Sequence, residues 1–300
     1  MPGQTAARGT DAGVSYDAGM ERAPADARSA LADAIDAVRR SDGVVSVVAR
    51  VSGEEAPRVS VEPDAAHYSA SIMKLPILVA AHRLAERGIL DLSRTVAVHE
   101  EFDSQNPGRR FRMDPDEDSD PATWSAVGGE QPLTDLVHRM ITVSGNLATN
   151  LVLDEVGTAE VAAVLADAGC SDRTAIVRGI EDYPAREIGL DNVITADDLA
   201  RLVVALAEGR LAGSEATAAC ERTLEAQEYR NGIPAGLPPD VWVGNKTGWI
   251  DGVNHDVALV RAPGLPPIGL AVLCSAPGTP EEREAGIARI TEAAWAVVTG

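Results

Sequence analysis

The sequence predicts an α/β (α+β) fold: one antiparallel sheet assembled from both chain ends and flanked by helices, with an all-helical subdomain inserted between them. Three observations carry this expectation. Apolar, β-branched runs lie near both ends, at residues 44–51, 255–261 and 268–275. Each end also holds an amphipathic helical stretch, and the Ala/Leu-rich middle has helical spacing with no obvious strand.

Taken in order, residues 1–28 mix Gly, Ala, Asp, Arg and Glu with no apolar run and are expected to form a loose tail. They contain neither a leader-like core nor a spanning stretch, so the expected location is the cytoplasm, unless a leader has been trimmed. Leu31, Ile35 and Val38 then mark one face of a helix that Asp42-Gly43 stops. Residues 44–51 read as a strand, with 58–61 as its hairpin partner across the turn at 53–57. Helices are expected at 71–87, 132–156, 158–168 and 195–208, followed by an extended segment at 241–245. The two strands at 255–261 and 268–275 flank a Pro/Gly-rich turn. A closing helix at 281–298 carries Glu281, Glu282 and Glu284 in its first turn, where the helix dipole favours acids. Residues 29–300 thus form one domain, with an α/β lobe at 29–70 and about 210–300 and a helical lobe at about 71–209. A cleft between such lobes is a natural site.

Composition narrows the function. Of 300 residues, 45% are hydrophobic, and 26 Lys plus Arg face 46 Asp plus Glu, giving a net charge of −20. That charge repels phosphate backbones and anionic lipid, so neither nucleic acid nor membrane is an expected partner. Cys170, Cys220 and Cys274 have no ligand-like spacing and read as reduced core thiols. No His, Cys and acid set has zinc spacing, so no metal and no cofactor is expected. The acidic run at 114–120, beside Arg109, Arg110 and Arg112, reads as a solvated loop. The sequence assigns no oligomeric state.

The chemistry begins with Ser71 and Lys74, which a helix sets on one face a turn apart. A serine hydroxyl is a weak nucleophile, and a neutral amine within reach can take its proton if burial and nearby cations hold the amine neutral. Ser71 at a helix start also faces unpaired backbone N–H groups. Two more motifs follow in the chain. Ser144-Gly145-Asn146 stands at a turn before the apolar run 147–156, and Lys246-Thr247-Gly248 ends the extended segment.

Ser-x-x-Lys, Ser-x-Asn and Lys-Thr-Gly in this order resemble the motif set of class A β-lactamases and penicillin-binding proteins. The resemblance runs from about residue 44 to 298 and includes Asn150 after Asn146 and Trp249 after Gly248. It implies the β-lactamase/transpeptidase-like fold and a serine hydrolase acting through an acyl-enzyme. Ser71 would attack the carbonyl, Lys74 would accept its proton, and Ser144 would relay a proton to the leaving nitrogen. Asn146 would hold Lys74 and the substrate amide, while Lys246 and Thr247 would grip a substrate carboxylate, the Lys246 charge helping to keep Lys74 neutral. Gly248 would let the substrate backbone approach the strand edge, and the N–H groups of Ser71 and Trp249 would form an oxyanion hole.

The sequence departs from that family in two places. Gly145 stands where class A enzymes carry Asp, and the Glu-x-x-Leu-Asn loop that supplies the deacylating base has no clean copy. Glu181 is the candidate base, with Asp182 and Glu187 behind it; the competing reading makes Arg178, Glu181 and Asp182 a structural ion-pair cluster. His67 and His255 are expected to be structural, because Lys74 fills the post of base. The leading substrate is a small β-lactam or related acyl compound. The alternatives are a cytoplasmic esterase, amidase or acyl transferase on a small metabolite, and a penicillin-binding module with little turnover.

Overall fold

In the computed structural model, residues 24–40 and 42–300 are described. Most of the expected N-terminal tail, residues 1–23, lies outside them. Helix α1 (Ala25–Arg39) begins inside the stretch read as tail and buries Leu31, Ile35 and Val38. Strand β1 (Val44–Val51), β2 (Val59–Val61) and the short β3 (His67–Tyr68) follow.

The helix expected at 71–87 is two pieces: a 3-10 turn at Ala70–Met73, then α2 (Lys74–Glu86). Next come β4 (Thr95–Ala97), β5 (Glu101–Asp103), β6 (Arg110–Arg112), α3 (Pro121–Trp124) and β7 (Glu130–Pro132). The middle segment therefore adds two short ribbons, β4 with β7 and β5 with β6, to its helices. The helix expected at 132–156 is broken into α4 (Leu133–Thr142) and α5 (Asn146–Val156). The break has a physical cause. Ser144 sits at φ 58°, and a side chain on Gly145 would place its Cβ 2.8 Å from the buried carboxylate of Asp120. That carboxylate caps α3 and pairs with Arg139.

The chain continues through α6 (Thr158–Ala168), α7 (Tyr183–Glu187), β8 (Val193–Ile194), α8 (Ala196–Ala207) and α9 (Ser214–Glu225), the last without an expected counterpart. Strands β9 (Trp242–Ile250), β10 (Val253–Arg261) and β11 (Ile268–Ser275) then lead into α10 (Pro280–Thr299), which a Thr279/Glu282 capping box starts.

The main sheet is antiparallel with strand order β2-β1-β11-β10-β9, joining the two chain ends through the β1–β11 pair, Val44 opposite Ser275 to Val51 opposite Ile268. Both of its faces are covered, which is why its strands read as nearly continuous apolar runs. Val47, Ala258, Val260, Leu270 and Val272 pack with Leu31, Ile35, Ile287 and Ile290 of α1 and α10. Val48, Val257, Leu259, Ala271 and Leu273 face the other way, into the core shared with α2, α4, α5 and α8. Helix α8, from the middle segment, lies directly on β1, β10 and β11. Strand β9 is the sheet edge and borders the Ala70–Met73 turn. Cys220 and Cys274 are buried free thiols and Cys170 is a half-buried one; burial raises the Cys170 and Cys274 thiols to about 12. Among the described residues no helix is long and apolar enough to cross a membrane.

Candidate active site

Tertiary packing brings the three motifs together along one seam. Ser71 is the second residue of the Ala70–Met73 turn, so its N–H is among the donors that a helix start leaves without an intrahelical acceptor. Ala70, just before it, is held at φ 42°. Lys74 begins α2, Ser144 lies in the break between α4 and α5, Asn146 opens α5, and Lys246-Thr247-Gly248 lies inside β9. The extended segment does not end at the third motif as expected, because β9 stays paired with β10 from Trp242 opposite Arg261 to Ile250 opposite Val253.

Lys74 is fully buried and its amine is a hub, donating to Ser144 O (2.7 Å), Asn146 Oδ1 (2.8 Å) and Ser144 Oγ (3.2 Å). Lys246, also fully buried, donates to the same Ser144 Oγ (2.9 Å) and to Thr247 O (2.8 Å). Burial lowers Lys74 to about 7, against the pull of Asp118 and Asp120. It also lowers Lys246 well below the usual lysine range, with the Lys74 charge acting in the same direction. Burial is the first cause for both amines, and the repulsion between them favours one proton on the pair over two. Behind Lys246, Asp256 is a buried carboxyl bonded by Asn245 Nδ2 and the Ile233 N–H, and burial raises it to about 7.

In front of this cluster opens a cleft of about 570 Å³, lined by Ser71, Ser144, Asn146, Glu181 and Trp249 among others. Glu181 enters it from the loop before α7 at φ 62°. Its Oε2 accepts from the Asp114 N–H (2.8 Å), and its Oε1 is buried without a partner. Burial first, then the nearby Asp114, Asp118 and Glu117 charges, raise it to about 7. Asp182 instead caps α7, and Glu187 pairs with Arg109 at 3.4 Å on the surface. The competing Arg178/Glu181/Asp182 ion-pair cluster does not form, because Arg178 pairs with Asp191 (2.6 Å).

The acidic run and the third motif depart from expectation. The acidic run is not a detached solvated loop: Asp118 accepts the Asn146 and Leu147 N–H groups at the start of α5, and Asp116, Glu117, Asp118 and Ser119 line the cleft. The Asn146 amide already donates to Glu117 O (2.8 Å), tying that run to the lysine hub. Lys246 and Gly248 are buried, and Thr247 between them is half-buried with its Oγ1 unpartnered. A Cβ on Gly248 would lie 3.0 Å from both Ser71 N and Ile72 N, so the missing side chain admits the nucleophile turn. Gly248→Ala is therefore expected to shift that turn by a few tenths of an ångström. Acylation should slow about tenfold or more while the melting temperature moves little, a split read by pairing acylation kinetics with a melting curve. Trp249 is partly exposed and meets Tyr229 edge-on at 4.7 Å.

His67 and His255 stack edge to face, and His255 Nε2 donates to Tyr68 O (3.0 Å), bracing β3 just before Ser71. Burial lowers them to about 4 and 3, so they stay neutral at pH 7. One signal could not be read from the sequence. Of five non-glycine residues with positive φ among those described, Ser144 and Glu181 line the cleft and Ala70 adjoins Ser71. Strain gathered at one place is a mark of a functional site.

The sheet joined from both chain ends, the helical lobe and the seam between them define an α/β protein of the β-lactamase fold. The chain belongs to the beta-lactamase enzyme family, whose model matches residues 28–298. Among solved structures it is similar to a β-lactamase from Sphaerobacter thermophilus DSM 20745, with 27% identity over 90% of this chain and 97% of that one, at a TM-score of 0.74. It shares its fold with a β-lactamase from Xanthomonas campestris pv. campestris str. ATCC 33913 (20% identity, 91% and 97% covered, TM-score 0.76). The same holds for PBP-A (20% identity, 89% and 94% covered, TM-score 0.73). No curated protein matches the chain.

Proposed function

We propose that the chain is a serine hydrolase that opens β-lactam amide bonds through an acyl-enzyme on Ser71. One juxtaposition carries the reading: Ser71, Ser144 and Glu181 share a cleft, and two buried amines meet on Ser144 Oγ behind it. In acylation, Ser71 Oγ bonds the substrate carbonyl carbon as its proton passes to neutral Lys74. The carbonyl oxygen gathers charge at the Ser71 and Trp249 N–H groups, a kind of stabilisation worth about 3–4 kcal/mol per donor. The C–N bond then breaks as Ser144, resupplied by the lysines, gives a proton to the leaving nitrogen. In deacylation, Glu181 takes a proton from water, the oxygen bonds the acyl carbon, and Ser71 leaves with a proton returned to its oxygen. The partnerless Glu181 Oε1 supports water as the acceptor.

A chromogenic cephalosporin tests the reading. Steady turnover, with the transient adduct mapped to Ser71 and absent from Ser71→Ala, is the expected result. A stoichiometric burst without turnover would mark a penicillin-binding role, and no reaction beside acylation by an activated ester would mark an esterase or acyl transferase. Because its amine lies behind Ser144, Lys246→Ala is expected to slow acylation by a carboxylate substrate and by its methyl ester alike. A KM rise confined to the acid would return Lys246 to the role of carboxylate grip.

A further inference from the structure

The wall of the Ser71 cleft carries five carboxylates, Asp116, Glu117, Asp118, Glu181 and Asp251, which come from three separate stretches of chain. No ion pair formed by the described residues reaches any of them. The arginines nearest in sequence are occupied elsewhere: Arg109 with Glu187, Arg110 with Glu101 and Asp103, and Arg112 with Glu100. The two guanidiniums that do line the cleft, Arg178 and Arg186, share Asp191 at 2.6 and 3.5 Å. Lys74 and Lys246 are fully buried, joined to the cleft through the Ser144 hydroxyl. Two guanidiniums sharing one carboxylate leave a single positive charge against five acids, so the wall a substrate meets is net negative.

Taking Ser71 as the nucleophile, we infer that this acidic wall selects substrates whose acyl side chain carries an ammonium group, held beside Asp116 and Glu117. Both side chains are exposed and lie in the segment that the Asn146 amide ties to the lysine hub through Glu117 O. A carbonyl seated at Ser71 thus has its acyl substituent within the field of these acids. Asp118 serves differently, since its oxygens hold the start of α5 and the Trp124 indole N–H. A cleft lined by one sign of charge raises the local concentration of a counter-ion, and at exposed acids the effect weakens with salt.

The test compares benzylpenicillin with aminobenzylpenicillin, which differ only by the ammonium group, in single-turnover acylation. The expected result is a kcat/KM about tenfold higher for the ammonium compound at low salt. That ratio should shrink toward one at 0.5 M salt, and also in the doubly substituted Asp116→Asn, Glu117→Gln protein. Acylation of Ser71 by both compounds at equal rates, or a ratio that ignores salt and the substitutions, would overturn the inference while leaving the nucleophile assignment standing. Failure of both compounds to acylate Ser71 would overturn the β-lactam reading, and the inference with it.

Discussion

Lys74→Ala is expected to lower the acylation rate about a hundredfold or more, the usual effect of removing a general base, while substrate still binds. Its amine meets Ser144 and Asn146 in one buried cluster one helical turn from Ser71, and burial lowers it to where a neutral amine is available at pH 7. In the native protein acylation should rise with pH through about 7, as burial makes the amine lose its proton there. The variant should lack that rise. The same shift has a stability consequence of definite sign: Lys74 binds its proton less tightly folded than unfolded, so between about pH 7 and 10.5 the unfolded chain holds more protons and stability climbs with pH. The climb should be reduced in Lys74→Ala and not abolished, because Lys246 is shifted in the same direction. Wild-type acylation by a folded Lys74→Ala protein would remove Lys74 as the base.

The terminal strands were legible because burial on both sides makes them apolar runs, and β1 and β11 appear within the residues that the runs mark. Ser71, Lys74, Ser144, Asn146 and Lys246 were legible through motif order, a local signal. What stayed hidden is tertiary. The break at Ser144 depends on Asp120, buried beneath Gly145 and paired with Arg139, and neither partner is marked by periodicity. Gly248 could not be matched to its neighbour, since the Ser71 turn that fills its missing side chain lies far away in the chain. Arg178 chose Asp191 over its nearer acids, leaving Glu181 free to face the cleft. The acidic run looked like solvent-facing loop because charge alone does not tell a surface from the wall of a site.

Glu181→Gln is expected to separate the two halves of the reaction. The substitution keeps the shape of the side chain and its acceptor for the Asp114 N–H, so acylation should proceed at close to the native rate. Deacylation should fall about a hundredfold or more, and the Ser71 adduct should accumulate to one per chain, visible by intact mass. Burial and the surrounding acids hold Glu181 near 7, so native deacylation should rise through about pH 7 as the carboxyl ionises, and the variant should show no such limb. Stability moves the opposite way. A carboxyl whose folded pKa is raised binds its proton more tightly folded than unfolded, so it lowers stability as pH climbs from about 4.5 to 7. Glu181→Gln should therefore be the more stable protein at pH 8, by about 1 kcal/mol once solvent screening of a half-buried carboxyl is allowed for. A base kept in an unfavourable environment for its chemistry gives this pairing of slower turnover with a higher melting temperature, whereas a carboxylate serving only as a structural anchor gives a lower one. Unchanged deacylation in the folded variant would take Glu181 out of the mechanism. Asp182 caps α7 and Glu187 lies on the surface with Arg109, so neither is placed to replace it. The acyl group on Ser71 would then be one meant for an acceptor other than water.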